Sequence, residues 1–202
     1  MKFLVGFSIL IEKFKNPKDE QINTQSVDYI APPVLNPLPN ATKNDKTAVS
    51  GFASSSNATI ILYVNGELAD KTRSKSDNSF TFENVSLNSG DNEIKAKTEE
   101  NEDKQSDFSQ SITITFLNKP PALDITFPHD GQSFKKDESP IKISGKSDKG
   151  VKVTVNSFWA ISQDDGSFYY QYNLKDGDND LKFAATDDAG NKTEKELHIK
   201  VN

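Results

Sequence analysis

The sequence predicts an all-β protein that consists of two antiparallel β-sandwiches in series. One plan of strands and turns occurs twice, from Asp77 to Asn118 and again from Asp165 to Asn202. Such repetition indicates two copies of one structural unit. Within each copy, apolar and polar residues alternate over short segments, which is typical of half-buried strands. Turn residues separate these segments about every 8–12 residues, as in a β-sandwich, and no helical period is convincing.

The repeated turns indicate why the two copies fold alike. The segment Asp77–Phe80 corresponds to Asp165–Phe168, and Leu87–Ile94 corresponds to Leu174–Leu181. The second of these pairs contains a glycine that permits a tight turn and an asparagine that can bond nearby backbone. These residues are Gly90, Asn92, Gly177 and Asn179. We interpret the motif as a folding device without chemical function.

Composition excludes several classes of function. The chain has no cysteine, so it can form neither a disulfide nor a thiolate metal site. Arg73 is the only arginine among 24 basic residues, and the net charge is −6. Phosphate and base recognition favour the arginine fork and a basic surface, so nucleic acid is not an expected partner. Thirteen phenylalanines, against one tryptophan and one methionine, are available to fill the cores.

Residues 1–15 differ from the rest, because Phe3 to Ile11 is an apolar run. Nine helical residues span about 14 Å, less than half of a hydrocarbon core of about 30 Å. The run fits four interpretations: the tail of a longer transmembrane anchor, a signal peptide, an amphipathic helix, or a helix docked on the protein. Residues 16–31 are polar and aperiodic, which predicts a flexible tether.

The first predicted domain covers residues 32–119 and begins with the stiff pair Pro32-Pro33. Ile60 to Val64 is apolar on both faces, which predicts a central strand, and Asn65-Gly66 predicts a two-residue hairpin. The inward parity slips between Phe82 and Val85, so we expect a bulge near Asn84. The other predicted strand segments are Val34-Leu35, residues 47–53 and 68–75, and the segments around Phe80, Ile94 and Ile114.

The second predicted domain covers residues 120–202 and follows a short linker that ends in Pro120-Pro121. Such a linker predicts limited freedom between the domains. The domain repeats the order of the first, with Ser144-Gly145 matching Ser50-Gly51. Its alternating strand segments are centred on Ile125, Ile143, Val153, Tyr170, Phe183 and Ile199.

The order of these motifs resembles the bacterial immunoglobulin-like domains over roughly residues 32–202. The second repeat matches best, through Asp165–Phe168, Leu174–Leu181 and Ala185–Asn191. The first repeat departs from the pattern, with Asn78 in place of a glycine and a longer acidic loop from Glu99 to Asp107. The resemblance implies tandem modules of bacterial surface proteins or accessory domains of secreted enzymes. It is specific for fold and weak for function.

The acidic turns raise a calcium hypothesis, because calcium requires several carboxylate oxygens. None of the turns has the spacing of a helix–loop–helix calcium loop. Asp and Asn are also favoured turn residues, so solvated turns are the preferred interpretation. The clusters are Asp164-Asp165, the Asp176–Asp180 segment and Asp187-Asp188.

Trp159 and Tyr169 are the candidate ligand contacts. Exposed aromatic side chains would suggest a platform on which a sugar ring stacks. Trp159 aligns with Leu68, an expected packing position, so packing in the core or at a sheet edge is preferred. Strand parity makes Tyr169 the most exposed of the neighbouring tyrosines.

No catalytic signature is present, and we predict no catalytic, cofactor-binding or metal-binding residue. His129 and His198 lie in a turn and on a solvent face, without the pairing that zinc requires. The expected function is a non-catalytic spacer or adhesion module of a bacterial surface or membrane-anchored protein, which acts through protein contacts. The alternative is a carbohydrate-binding or accessory module of a secreted enzyme.

Overall fold

A computed structural model describes residues 29–101 and 104–202. This part of the chain contains β-strands and a single 3-10 turn, Lys136–Glu138, which confirms the all-β prediction. The apolar segment of residues 1–15 and most of the predicted tether lie outside the described residues. Within the described ranges, no helix is both long and apolar enough to cross a bilayer.

The first sandwich contains nine strands in two sheets. One sheet has the order β1-β3-β6, and the other has the order β2-β9-β7-β4-β5, with β8 paired to β7. The strands are β1 Val34–Leu35, β2 Ala41–Thr42, β3 Lys46–Phe52, β4 Thr59–Val64, β5 Glu67–Arg73, β6 Ser79–Ser86, β7 Gly90–Asn101, β8 Lys104–Gln105 and β9 Ile112–Phe116.

The second sandwich repeats this arrangement. Its sheets have the orders β10-β12-β16-β15 and β11-β18-β17-β13-β14. The strands are β10 Leu123–Phe127, β11 Ser133–Phe134, β12 Ile141–Ser147, β13 Lys152–Val155, β14 Phe158–Trp159, β15 Ile161–Ser162, β16 Ser167–Tyr172, β17 Gly177–Thr186 and β18 Lys192–Val201. In both sandwiches the first strand belongs to one sheet and the second strand to the other. The second strand pairs in parallel with the last strand of its sandwich.

Each sandwich closes on its own apolar core, as the alternating pattern predicts. The buried side chains of the first core include Val49, Ile60, Leu62, Phe80, Phe82, Ile94 and Ile114. Those of the second include Ile143, Val153, Val155, Phe168, Leu181, Phe183 and Ile199. The burial of Phe80 and Phe168 confirms the inward parity of β6 and β16. The two clusters share no residue, so each half has a separate hydrophobic centre.

Two local predictions in the first sandwich are confirmed. Asn65 and Gly66 both have positive φ and join β4 to β5 in a two-residue hairpin, as that dipeptide favours. Asn84 has a φ of 58°, and two residues of β6 oppose one of β3 at this point. This is the bulge that the slipped parity between Phe82 and Val85 indicates.

The repeated asparagine bonds the nearby backbone, as predicted, and it is also buried. The amide oxygen of Asn179 accepts the Lys175 N–H at 2.8 Å, and its nitrogen donates to the carbonyls of Lys175 and Gly177. Asn92 makes the same three contacts, with Asn88 and Gly90. Each asparagine therefore satisfies the backbone of the loop before its strand, a local alternative to ladder bonding.

Gly51 and Gly145 allow a close approach that a side chain would block. A Cβ on Gly145 would lie 2.3 Å from the Asp124 carbonyl oxygen and 2.4 Å from the Phe168 ring. A Cβ on Gly51 would meet Val34 and Phe80 at similar distances. The matching Ser-Gly pairs therefore let a core phenylalanine pack directly beneath the strand.

Two expectations need correction. The acidic segment from Glu99 to Asp107, expected as a loop, continues β7 to Asn101 and pairs Glu99 with Gln105 of β8. Leu68, expected to pack, is 60% exposed on β5. The strand β5 is an edge strand that pairs only with β4, so its side chains have fewer neighbours than those of a central strand.

Candidate functional site

The edge of the second sandwich carries its largest exposed apolar side chains. Phe158, Trp159 and Ile161 are 65%, 66% and 57% exposed. The prediction that Trp159 lies at a sheet edge is correct, but the expected packing of its side chain is wrong. Its cross-strand partner is Thr154, which lies between the inward-facing Val153 and Val155, so Trp159 projects from the outer face.

This edge changes sheets within four residues. Trp159 of β14 pairs with β13 in one sheet, whereas Ile161 of β15 pairs with Tyr169 of β16 in the other. Between them, the Ala160 N–H donates to the Val153 carbonyl at 2.9 Å. The strand therefore leaves β13 beyond Val153, and the start of β13 stays uncovered on this side.

A groove of about 550 Å³ lies where the edge strand departs. Trp159 forms part of its wall, and the groove continues along Val151 to Val153. Besides Gly150, Ala160 and Gly166, the other lining residues are polar: Asp148, Lys152, Ser162, Gln163 and Asp164. This volume lies within the range of about 300–1,000 Å³ that is usual for ligand clefts. The groove is the feature of this edge that best suits a small ligand.

Tyr169 does not extend this wall. It faces outward from β16, as parity predicts, but it is only half-buried rather than fully exposed. The reason is Lys142 on the neighbouring strand, whose Nζ lies 4.4 Å from the centre of the tyrosine ring. The contact is a cation–π interaction that covers the ring face. The sequence pattern therefore predicts its direction correctly and overestimates its exposure.

Asp165 and its counterpart Asp77 direct their carboxylates at their own turns, whereas Asp176 bonds the side chain of Lys136. Asp165 accepts hydrogen bonds from the Ser167 hydroxyl at 2.6 Å and from the Ser167 N–H at 2.9 Å. Asp77 binds Ser79 in the same way. These bonds, the hydroxyl first, lower the pKa of both aspartates, because they favour the charged form. The geometry is that of an Asx turn, which agrees with the interpretation of the Asp164-Asp165 cluster as a solvated turn.

A second cluster lies on the hairpin of β17 and β18, and it joins Asp180 of the acidic Asp176–Asp180 segment to His198. Ligand atoms of Asp180, Glu196 and His198 lie within 4.8 Å of one another, and all three residues are exposed. The His198 Nδ1 is 2.8 Å from an Asp180 oxygen. That hydrogen bond raises the pKa of the imidazole, and burial opposes the change only partly. Lys182 lies 3.7 Å from Glu196 and pairs with it.

The hairpin register could have revealed this cluster. Asp187–Asn191 turns the chain, so counting back from it places Asp180 opposite His198, as the structure shows. A cross-strand acid and histidine at this spacing form a surface pair. His129 lies apart from the pair, in the turn between β10 and β11, where its N–H donates to the Gln132 side chain at 3.0 Å.

The linker between the sandwiches is bonded to both of them. The Leu117 N–H donates to the Thr42 carbonyl of the first sandwich at 2.9 Å. The Leu117 carbonyl accepts the Asn191 side-chain N–H of the second sandwich, also at 2.9 Å. The Thr193 hydroxyl donates to the Pro121 carbonyl at 2.5 Å. One linker residue therefore connects the two units through its own backbone.

The second sandwich holds the end of the linker at a further point. The Ala122 N–H donates to the Asp148 carboxylate at 2.8 Å, and the Ala122 carbonyl accepts the Ser147 hydroxyl at 2.6 Å. Asn191 is itself fixed by Asp187, whose carboxylate accepts its backbone and side-chain N–H groups. The aspartate of the Asp-Asp-Ala-Gly-Asn turn therefore orients the side chain that reaches the linker.

Comparisons with known proteins find one family model and one relative that are similar to this chain. Residues 121–202 match the family model described as glucodextranase, domain B. The chain is 34% identical over 179 residues to bacillopeptidase F of Bacillus subtilis (strain 168). This similarity covers 87% of the chain and 12% of that relative, so the chain spans a small part of its length.

The fold also matches a solved structure. The fibronectin(III)-like modules of Clostridium thermocellum CbhA share 12% identity, with a TM-score of 0.51 over 84% of this chain and 94% of theirs. At that identity the likeness shows the fold alone. Together with the two separate cores, it shows that the described chain is a tandem pair of immunoglobulin-like domains, as the resemblance implies.

Proposed function

We propose that this tandem pair of immunoglobulin-like domains is a non-catalytic structural spacer in a larger protein of the bacterial cell surface or exterior. The observation that supports it best is the double attachment of Leu117. Its N–H bonds one domain and its carbonyl bonds the other. A linker fixed in this way limits the motion of one domain relative to the other. A spacer needs this restriction in order to hold another part of the protein at a set distance.

The similarity to bacillopeptidase F supports an accessory role. The chain corresponds to 12% of a protein whose name describes a peptidase. Most of that relative therefore lies outside the similar region, and a spacer beside a catalytic region would account for the proportion. The name of the matched family model, a lettered domain of glucodextranase, also describes one part of a larger enzyme.

Contacts with other proteins would use an exposed strand edge. The edge strand β5 is seven residues long and nearly all exposed, and it pairs with β4 alone. Such an edge can receive a further strand from a partner. Adhesion through this edge, and membrane attachment through residues 3–11, belong to the proposal.

Distance measurements between spin labels test the spacer. The chain has no cysteine, so Glu83→Cys and Gln171→Cys place one exposed label in each domain. We expect a narrow distance distribution by pulsed electron paramagnetic resonance. Adding Asn191→Ala and Thr193→Val should broaden it, because both side-chain bonds to the linker are lost.

Thr186→Val is the matched control, because Thr186 lies on the adjacent strand β17 and makes no bond to the linker. It should leave the distribution narrow. A broad distribution in the otherwise unaltered chain would refute the fixed spacer. So would a distribution that the Asn191 and Thr193 substitutions leave unchanged.

A further inference from the structure

We propose that the groove beside Trp159 binds a neutral oligosaccharide, a function that goes beyond the spacer role. The indole is two-thirds exposed at the wall of a groove of about 550 Å³. A sugar ring has an apolar C–H face, which stacks on an aromatic plane, and hydroxyl groups, which require polar partners. An exposed tryptophan beside hydrogen-bonding side chains offers a partner for each.

The polar side chains of the groove suit hydroxyl groups. Asp164, Gln163 and Ser162 form the turn side of the wall, with carboxylate, amide and hydroxyl side chains, and the Gln163 amide oxygen already accepts the Ser167 hydroxyl at 3.0 Å. A carboxylate is a strong acceptor for sugar hydroxyls. These residues follow Trp159 after Ala160 and Ile161, so one short segment supplies both the stacking surface and the hydrogen-bonding groups.

Charge selects a neutral ligand over an acidic one. The groove is lined by two acidic residues, Asp148 and Asp164, against the single basic residue Lys152, and the Asp148 carboxylate also accepts the Ala122 N–H. The Lys152 ammonium already has Asp188 at 3.9 Å. An anionic saccharide or a phosphate group would therefore meet repulsion, which disfavours uronic acid polymers and nucleic acid.

The backbone geometry disfavours a peptide in the same place. The strands β14 and β15 have two residues each and belong to different sheets. An added strand needs a continuous row of backbone donors and acceptors, which this interrupted edge does not offer. In the first domain the corresponding edge strand, β5, stays paired with β4 from Glu67 to Arg73. The break in the edge and the tryptophan thus occur together, in the second domain.

The chain's single tryptophan makes binding directly observable. The full chain is titrated with cellohexaose, maltohexaose and xylohexaose, and intrinsic fluorescence and heat are recorded. We expect a saturable fluorescence change with at least one neutral hexasaccharide. Hexagalacturonate, an acidic counterpart, should give none. Trp159→Leu should weaken the binding measured by calorimetry at least about tenfold.

Two control variants distinguish a specific binding site from nonspecific hydrophobic association. Leucine is already the aligned, exposed residue of the first domain, so Trp159→Leu should leave the unfolding midpoint nearly unchanged. Ile161→Ser removes a neighbouring exposed apolar side chain that does not line the groove, and it should leave the affinity unchanged.

Three results would overturn the proposal. They are absence of binding by all three neutral hexasaccharides, unchanged affinity in Trp159→Leu, and an equal loss in Ile161→Ser. The spin-label distances do not depend on Trp159, so these results would leave the spacer proposal standing.

Discussion

At the scale of single residues, Thr98 offers the clearest test of the first core. Among the described residues, its hydroxyl is the one buried side-chain polar atom without a hydrogen-bond partner. Valine has nearly the same shape and removes the unsatisfied group. We expect Thr98→Val to raise the free energy of unfolding by about 1 kcal/mol, measured by urea denaturation.

Thr98→Ser provides the comparison, because it keeps the hydroxyl and loses the methyl group. It should lower the stability by about 1 kcal/mol through lost apolar burial. If Thr98→Val proved less stable than the unaltered protein, the hydroxyl would have a partner in solution and the explanation would be wrong.

Residue-level prediction from sequence succeeds where strand parity decides burial. Phe80 and Phe168 are buried because they occupy inward positions of their strands, and Phe80 is buried although β6 is an edge strand. Trp159 and Leu68 are exposed because they lie on the outer faces of edge strands, away from the core and with a neighbouring strand on one side only. Hydrophobicity and alignment carry no information on edge position. The candidate binding site is therefore the place where the packing expectation fails.

At the scale of elements, the hairpin of β17 and β18 sets the charge state of His198. The hydrogen bond to Asp180 is the largest cause of its raised pKa, and the charges of Asp180, Glu196 and Asp130 act in the same direction. We expect nuclear magnetic resonance titration to place the pKa of His198 above its ordinary value of about 6.5. Asp180→Asn should bring it down.

The direction of the pH effect follows from linkage. The folded domain binds the proton more tightly than the unfolded chain, so this pair stabilises the fold below the unfolded pKa. The contribution disappears as the pH rises through the higher pKa of the folded state. A His198 pKa at or below the ordinary value, or one insensitive to Asp180→Asn, would contradict the assigned pair.

Elements follow from the sequence where turn chemistry is explicit. Asn65-Gly66 and the parity slip at Asn84 both predict the observed geometry, because each encodes a local backbone conformation. The extension of β7 to Asn101 is missed, since acidic residues with low strand propensity form it. Pairing with β8 stabilises that extension, and tertiary context of this kind is absent from local patterns.

At the scale of the whole molecule, the separate cores predict separate folding. The first core lies within residues 35–116 and the second within residues 123–201. We expect a fragment of residues 117–202 to fold alone, with one cooperative transition by circular dichroism. A fragment of residues 120–202 should be less stable by about 1 kcal/mol, because it lacks the Leu117 carbonyl that Asn191 binds.

An unfolded 117–202 fragment would show that the domains depend on each other, contrary to the two-core arrangement. Equal stability of the two fragments would show that the Asn191 contact contributes nothing measurable. The repeat in the sequence predicts two units, because the corresponding turns and strands of the two copies stay recognisable where individual residues differ. The attachment of the linker was not predicted, since its bonds join residues more than 70 positions apart.

The side chains that hold the linker give the pair a fixed order. Asn191 sits in a five-residue turn that the first domain replaces with the β7–β8 extension. If the second unit is placed ahead of the first, we expect the new junction to lack the hydrogen bond between Asn191 and the linker. Gene shuffling could append the second unit to many neighbours that end in an extended strand, whereas the first unit would need a different means of attachment.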